Sequence, residues 1–363
     1  MKIEKTTERY EAWVAEHTPL VQSDLALKHA AMATDPFSFL RATFYRWVVL
    51  WQEVCPELTS APVVLAVGDL HVENFGTWRD SEGRLIWGIN DFDEVAHMPY
   101  PNDLVRLAAS AHIAIAANHL AVTPKEACEI IVDGYTQGLQ AGGRPFVLSE
   151  HFTWLRQIAV SELRDPVHFW EKMDGLRTVR SKVPRRAVKA LENLLPEHGL
   201  KYRIAKRVAG LGSLGHERYV ALAEWRGGKV AREAKALVPS ACVWAGVEKR
   251  SRGILYEALL GRAVRVPDPF VRLRGQWILR RLAPDCSRIE LSSLPKERDE
   301  ARLLHAMGWE TANIHLGTPK VIAAVRHDLK KRSANWLHAA VKNMVDATLT
   351  DFAKWKKASR LRR

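Results

Sequence analysis

Apolar residues recur at helical spacing through positions 1–60, and Phe37–Val54 is rich in Leu, Phe and Trp. The pattern then changes. PVVLAVGDL (62–70) and RLIWGIND (84–91) are apolar runs of strand length, and RDSEGR (79–84) between them carries the turn residue Gly83. Helical periodicity returns over 103–140, in DLVRLAASAHIAIAANHL and KEACEIIVDGYTQGL, with Pro99 and Pro101 suiting a helix entry. Residues 150–200 read as basic helices broken at Pro184. Alternation then marks a second β region. YRIAKRVAG (202–210), ERYVALAEW (217–225) and KVAREAKAL (229–237) are divided by a glycine-rich turn, Gly210–Gly215, and by a tight Arg226-Gly227-Gly228 turn; WILRRLAP (277–284) is a fourth strand. From Lys296 onward the pattern is helical again. Helix, hairpin, helices, antiparallel sheet, helices: this order predicts an α+β fold and argues against a doubly wound sheet. It divides the chain into a helical segment (1–60), a helical lobe (61–200), a β lobe (201–290) and closing helices (291–363) that complete the helical lobe.

Composition narrows the setting. With 363 residues and 47% hydrophobic content, the chain can bury a real core in two domains or one two-lobed unit. No run of 18 apolar residues is present, so no membrane partner is expected; MKIEKTTERYEAW is charged throughout and is no secretory signal. Cys55, Cys128, Cys242 and Cys286 lie far apart without a CxxC pair, which argues against zinc or a disulfide framework and fits a reducing cytoplasm. The net charge of +13 favours anionic partners, phosphates first among them. Much of it sits in Lys172–Arg207 and Lys354–Arg363, runs that a solvated face also explains.

Three stretches carry candidate chemistry. In Val67-Gly68-Asp69-Leu70-His71-Val72-Glu73-Asn74-Phe75-Gly76 an Asp follows a strand and an Asn comes five residues later. Kinase catalytic loops use this interval, with the Asp on the acceptor hydroxyl and the Asn reaching a Mg²⁺ on the phosphates. Ile89-Asn90-Asp91-Phe92-Asp93-Glu94 ends the next strand with three carboxylates that would repel one another without a cation. Mg²⁺ takes hard oxygen ligands, so Asp91 is the first metal candidate and Asp93 the second. Gly210-Leu211-Gly212-Ser213-Leu214-Gly215 is a G-x-G-x-x-G, but a strand-like segment follows it. That context excludes the dinucleotide fingerprint and fits a hairpin lid whose backbone N–H groups approach phosphates. Lys235 lies on the next strand, where an inward side chain can pair with phosphate oxygens. An acidic partner is expected from the helix that follows, Glu257 in preference to Glu248. His71, His97 and His315 read as satisfied structural residues, and no Ser–His–Asp order with an elbow context supports a hydrolase triad.

Together these segments resemble the aminoglycoside phosphotransferase and choline kinase branch of the protein-kinase-like superfamily. The resemblance implies a two-lobed kinase-like fold with ATP and Mg²⁺. Asp69 would be the catalytic base, Asn74 and Asp91 metal ligands, and His71 a histidine usual in that loop. Asp103 would brace the loop from the following helix. The chain is more closely similar to an uncharacterised bacterial family, a domain of unknown function. Its members show similar DPFSFLR, GDLH-x-x-NFG, NDFDE, DL-x-RLAAS and G-x-GS-x-G segments, here Asp35–Arg41, Gly68–Gly76, Asn90–Glu94, Asp103–Ser110 and Gly210–Gly215. In ordinary kinases the glycine loop and lysine precede the catalytic loop, whereas here they follow it. A circular permutation accounts for this order, and ARLLHAMGWETANIHL then resembles the helix that normally precedes the catalytic loop.

The expected activity is ATP-dependent phosphoryl transfer to an unidentified hydroxyl. Two alternatives stay open: transfer of AMP to a protein on the same fold, and non-catalytic binding of nucleotide or nucleic acid. The last draws on the basic charge and the 13 tryptophans, which could stack on bases, although no nucleic-acid motif is present.

Overall fold

A computed structural model describes residues 1–149, 151–161, 165–180, 182–286 and 299–361. Residues 291–298 of the predicted closing helices lie outside them, as do 150, 162–164 and 181 of the predicted basic helices. The chain opens with four helices: α1 (Ile3–His17), α2 (Gln22–Ala31), α3 (Pro36–Ala42) and α4 (Phe44–Val54). Asp35 caps α3 by accepting a hydrogen bond from the Ser38 amide, with Pro36 in the first turn where its missing N–H costs nothing. Four short strands follow: β1 (Val63–Ala66), β2 (Phe75–Arg79), β3 (Leu85–Ile89) and β4 (Ala96–Pro99). Next come α5 (Pro101–Ala116), α6 (Pro124–Ala141), β5 (Phe146–Val147), α7 (Thr153–Ser161), α8 (Pro166–Asp174) and α9 (Arg185–Glu192). The second β region holds β6 (Tyr202–Lys206), β7 (Arg218–Trp225), β8 (Gly228–Ala236), α10 (Ala241–Trp244), α11 (Tyr256–Leu260), β9 (Arg272–Arg274) and β10 (Trp277–Leu282). The helices α12 (Glu300–His315), α13 (Pro319–Lys331) and α14 (Trp336–Leu361) close the described chain. The fold is α+β with small antiparallel sheets.

The hairpin predicted between residues 62 and 91 resolves differently. β3 pairs with β2, not with β1, and β1 pairs with β4. The intervening FGTWR and the later AHMP are too short to announce strands. Tertiary pairing, rather than local alternation, makes them β structure. The turn at Gly83 is as expected.

One apolar core joins α4, α5, α6, α12 and α14 to the short strands, through residues such as Trp47, Leu104, Tyr135, Met307 and Met344. The helices after residue 299 therefore pack with the first half of the chain. A five-stranded antiparallel sheet, ordered β6-β7-β8-β10-β9, forms the second body. Its side chains alternate between two faces. Tyr219, Ala221, Ala234 and Leu279 pack under α9, while Ala205, Val220, Leu222 and Ala231 pack under α8. α8 and α9 thus cover the sheet instead of joining α5 and α6, because their apolar faces match its two surfaces. Among the described residues no helix is long and apolar enough to cross a membrane. All four cysteines are free thiols.

Candidate active site

Strand register brings the two acidic loops together. Phe75 stands opposite Ile89, and the Asn90 amide donates to the Asn74 carbonyl at 3.0 Å, so Asn74 and Asp91 flank the same end of the β2–β3 hairpin. Ala66 stands opposite Ala96, which places Asp69 and Glu94 at one end of the β1–β4 ribbon. Gly68 makes the turn between β1 and Asp69. Its φ is +85°, and a Cβ there would lie 2.3 Å from the Glu94 carbonyl oxygen, so only glycine fits.

Asp103, fully buried on α5, accepts hydrogen bonds from the Val67 amide at 2.7 Å and the Gly68 amide at 2.9 Å. Its third donor is His315 Nε2 at 3.0 Å, while His315 Nδ1 faces the Tyr135 hydroxyl at 2.8 Å. That network assigns the tautomer: Tyr135 donates to Nδ1 and Nε2–H donates to the carboxylate. Asp103 and His315 together tie α5 and α12 to the turn that leads into Asp69. His71 Nδ1 accepts from the Glu73 amide and starts the short 3₁₀ turn Val72–Asn74.

Asp69 meets a residue the motif reading left without a role. Arg106 donates to Asp69 Oδ1 from Nε at 3.1 Å and from Nη2 at 2.6 Å. Arg106 itself is 1% exposed and lies over the rings of Phe44 and Trp47. Burial pushes the Asp69 carboxyl above its ordinary range, and Arg106 works against that shift. With both Arg106 bonds on Oδ1, Oδ2 is the oxygen nearest the glycine loop, 3.7 Å from the position of a Cβ on Gly212. The spacing of Arg106, three residues after Asp103 on one helical face, was the available signal.

The sheet supplies the opposite wall. Gly210–Gly215 lies in the connection between the antiparallel strands β6 and β7. Gly210, Leu211, Gly212 and Ser213 line a partly open space of about 90 Å³ together with Asp69, Asn74, Asp91, Asp93 and Glu94. The N-terminal helices hold this loop. Lys28 Nζ donates to the Gly212 carbonyl at 3.1 Å, the Val21 amide donates to the Gly215 carbonyl at 2.8 Å, and Leu211 packs on Ile3, Met32, Phe39, Ala42 and Trp355.

Lys235 is 2% exposed and points inward from β8. Its partner is Asp93, with Asp91 Oδ1 3.9 Å away. The expected pairing with Glu257 is not formed. Glu257 lines a second, larger cleft but is exposed there and accepts from the Leu273 amide at 2.9 Å; α11 is a single short turn that buries Tyr256 and Leu259 and leaves Glu257 on its solvent side. Glu248 is also engaged elsewhere, accepting from His97 N and Nδ1 and from the Arg250 and Ser251 amides. Burial pushes Asp91 up, but the cations of Lys235 and Arg280 outweigh it and hold the carboxyl well below the usual range. Asp93 is raised, by burial and then by the charge of Asp91, against Lys235. The two carboxylates are thus pushed in opposite directions by one environment, in which Lys235 is bonded to Asp93 and stands 3.9 Å from Asp91. Asp91 Oδ1 and Asp93 Oδ1 are buried without a hydrogen-bond partner. Two orphaned carboxylate oxygens beside Asn74 suit a hard divalent cation. Among the described residues no group of three His, Cys, Asp or Glu side chains could hold a metal. A Mg²⁺ that draws its remaining ligands from phosphates and water needs no such group.

On the far side of Gly210 and Asp91 opens a larger cleft of about 600 Å³, lined by Thr77, Phe92, Lys235, Tyr256, Arg265 and Arg280 among others. Glu94 joins the two halves: its Oε2 accepts from Ser240 Oγ at 2.9 Å and the Ala241 amide at 2.7 Å, just past β8. Burial lifts its carboxyl to about 7 despite those bonds. Of the 13 tryptophans six are buried and seven half-buried.

No curated protein and no solved structure matches the chain. A bacterial family described as an uncharacterized protein conserved in bacteria (DUF2252) matches residues 20–203, a span that holds Asp69, Asn74, Asp91, Asp103 and Arg106 and ends before the glycine loop. That match covers just over half of the 363 residues, and the chain belongs to this family.

Proposed function

We propose that the protein is an ATP- and Mg²⁺-dependent phosphotransferase of two-lobed, protein-kinase-like build, with its lobes in permuted order. The observation that carries the reading is convergence. Asp69, Asn74 and Asp91 come from the first half of the chain and line one space with the glycine loop from the second, while Lys235, also from the second, reaches that wall through Asp93 and stands 3.9 Å from Asp91. The supporting detail is topological: the glycine loop joins the first two strands of the sheet, and the lysine sits inward on the third.

In this reading the larger cleft takes the nucleotide and the smaller space by Asp69 takes the acceptor. The acceptor oxygen bonds to the γ-phosphorus while the bond to the β–γ bridging oxygen breaks, leaving ADP. The hydroxyl proton passes to Asp69 Oδ2, which Arg106 leaves turned toward the loop. Asp91 and Asp93 with Asn74 would hold Mg²⁺, whose charge neutralises the phosphates. The protein's contribution is position and charge, not covalent chemistry.

The test is calorimetry of ATP with and without Mg²⁺ on wild type and Asp91→Ala. Mg²⁺-dependent binding that disappears in the variant is expected; no binding by wild type sinks the reading. Product labelling from γ-³²P-ATP, but not from α-³²P-ATP, then separates phosphoryl from AMP transfer.

A further inference from the structure

Lys235 is not alone on the cleft face of the sheet. In the β8–β10 register Glu233 stands opposite Arg280 and Lys235 opposite Ile278, so Glu233, Lys235 and Arg280 share one face. Arg218, opposite Lys235 on β7, belongs to the same face. Most of these charges are spoken for. Glu233 takes Arg207 and Arg218, and Arg218 also donates to Ser213 Oγ at 2.9 Å. Lys235 has Asp93.

Arg280 differs. Among the described residues its one hydrogen bond runs from Nη2 to the Tyr256 hydroxyl at 2.7 Å. Its Nε is buried without a partner, and its nearest carboxylate oxygen, Asp91 Oδ1, stands at 3.9 Å, beyond hydrogen bonding. Arg280 is half-buried, and a buried N–H left unmet in it is costly unless an anion completes the fork. The same Asp91 oxygen lies 3.9 Å from Lys235 Nζ, so two cations from adjacent strands flank one point in the cleft. Arg265 adds to the field from below: its Nη1 is tied to the Ile89 carbonyl, and its Nε is likewise buried and unmet. Positive charge of this density beside two metal-competent carboxylates suits neither an apolar ligand nor a single carboxylate. It suits a chain of phosphates, which offers several charged oxygens to a planar fork.

We propose that Arg280 is a phosphate-binding residue, seating the oligophosphate chain of the ligand together with Lys235. The inference rests on reading the cleft as the nucleotide side of the site, and adds a residue that neither the loop motifs nor the lysine strand identifies.

The experiment is calorimetric titration of inorganic tripolyphosphate, and separately of MgATP, into wild type, Arg280→Gln and Arg280→Lys, with a melting curve on each variant. Wild type should bind tripolyphosphate. Arg280→Gln should bind both ligands at least tenfold more weakly, and Arg280→Lys, which keeps the charge but loses the fork, should fall between. If Arg280→Gln does not fold, a several-fold loss in Arg280→Lys supports the proposal and wild-type affinity there overturns it. Equal binding by a folded Arg280→Gln also overturns it. Wild type that binds MgATP but not tripolyphosphate refutes the seat and leaves the ATP reading standing. Arg280-dependent binding of tripolyphosphate without any binding of MgATP supports the seat and refutes the ATP reading.

Discussion

Replacing Asp103 by asparagine changes one atom of a fully buried side chain that accepts from three donors. An amide has a single acceptor oxygen. In its best orientation that oxygen keeps the Val67 amide and His315, both of which bond Oδ2 in the native chain. The new NH₂ then faces the Gly68 amide across 2.9 Å, donor against donor. A bond to a carboxylate is worth about 1.5–3 kcal/mol, and each buried donor left unmet costs about 1–3 kcal/mol. The expected loss is about 3–5 kcal/mol, a large part of the roughly 5–15 kcal/mol that holds a domain folded. Urea unfolding should show a lower midpoint at unchanged slope. Because Gly68 sets the turn into Asp69, binding of MgATP should weaken by at least tenfold under conditions where the variant is still folded. A midpoint cost below about 1 kcal/mol with unaltered binding would refute the claim that Asp103 positions the loop.

Gly68→Ala should destabilise by at least about 3 kcal/mol, since strain at positive φ adds to a backbone clash, whereas Gly83→Ala should cost only about 1–2 kcal/mol. The contrast isolates the clash, because Gly83 has a φ of +74° but nothing within 4 Å of a Cβ, and paired thermal melts read it directly. Glu310 on α12, accepting from the Ile89 amide and from Asn313, has its carboxyl lifted by burial to about 7, against the pull of Arg265. A raised carboxyl adds stability that is whole below its unfolded value near 4.5 and is lost as pH climbs to about 7, on the order of 3 kcal/mol in all. Glu310→Gln should flatten that decline between pH 4.5 and 7 in urea midpoints; an unchanged slope would show that the carboxyl is not held protonated. Glu233→Gln strips a buried acid from two arginines, a change worth roughly 3–5 kcal/mol. It should lower both the melting temperature and the affinity for MgATP, and wild-type values for both would show that Glu233 does not hold the glycine loop through Arg218 and Ser213.

The chemistry legible in the sequence was the part set by local spacing. Asp69 to Asn74 is one short loop, Asp91 ends one strand, and Gly210–Gly215 followed by alternation can only be a turn between strands. Longer-range partnerships left no local trace. Lys235 meets Asp93 across 142 positions of chain, and nothing around either residue signals the other. Glu257 looked right because it sits in a helical run after the lysine strand, yet only the packing of Tyr256 and Leu259 decides which way so short a helix turns. β4 was invisible for a related reason: AHMP has neither length nor alternation, and exists as a strand because β1 stands beside it. Arg280 sits in WILRRL, where two arginines in sequence give no hint which one faces the cleft until the register with β8 is known.

The Leu211 contact has a kinetic meaning. Lifting the loop from Asp69 requires withdrawing Leu211 from an apolar patch made by α1, α3, α14 and Met32 just past α2, and breaking the Lys28 bond to Gly212. Of the cluster's buried residues only Ala42 lines the cleft, so the contact is expected to slow entry and exit together and to leave the equilibrium between them almost untouched. Trimming Met32 or Trp355, neither of which lines the cleft, would therefore act as an oiled hinge does: the mouth would breathe faster, and residence times would shorten while affinity stayed nearly constant.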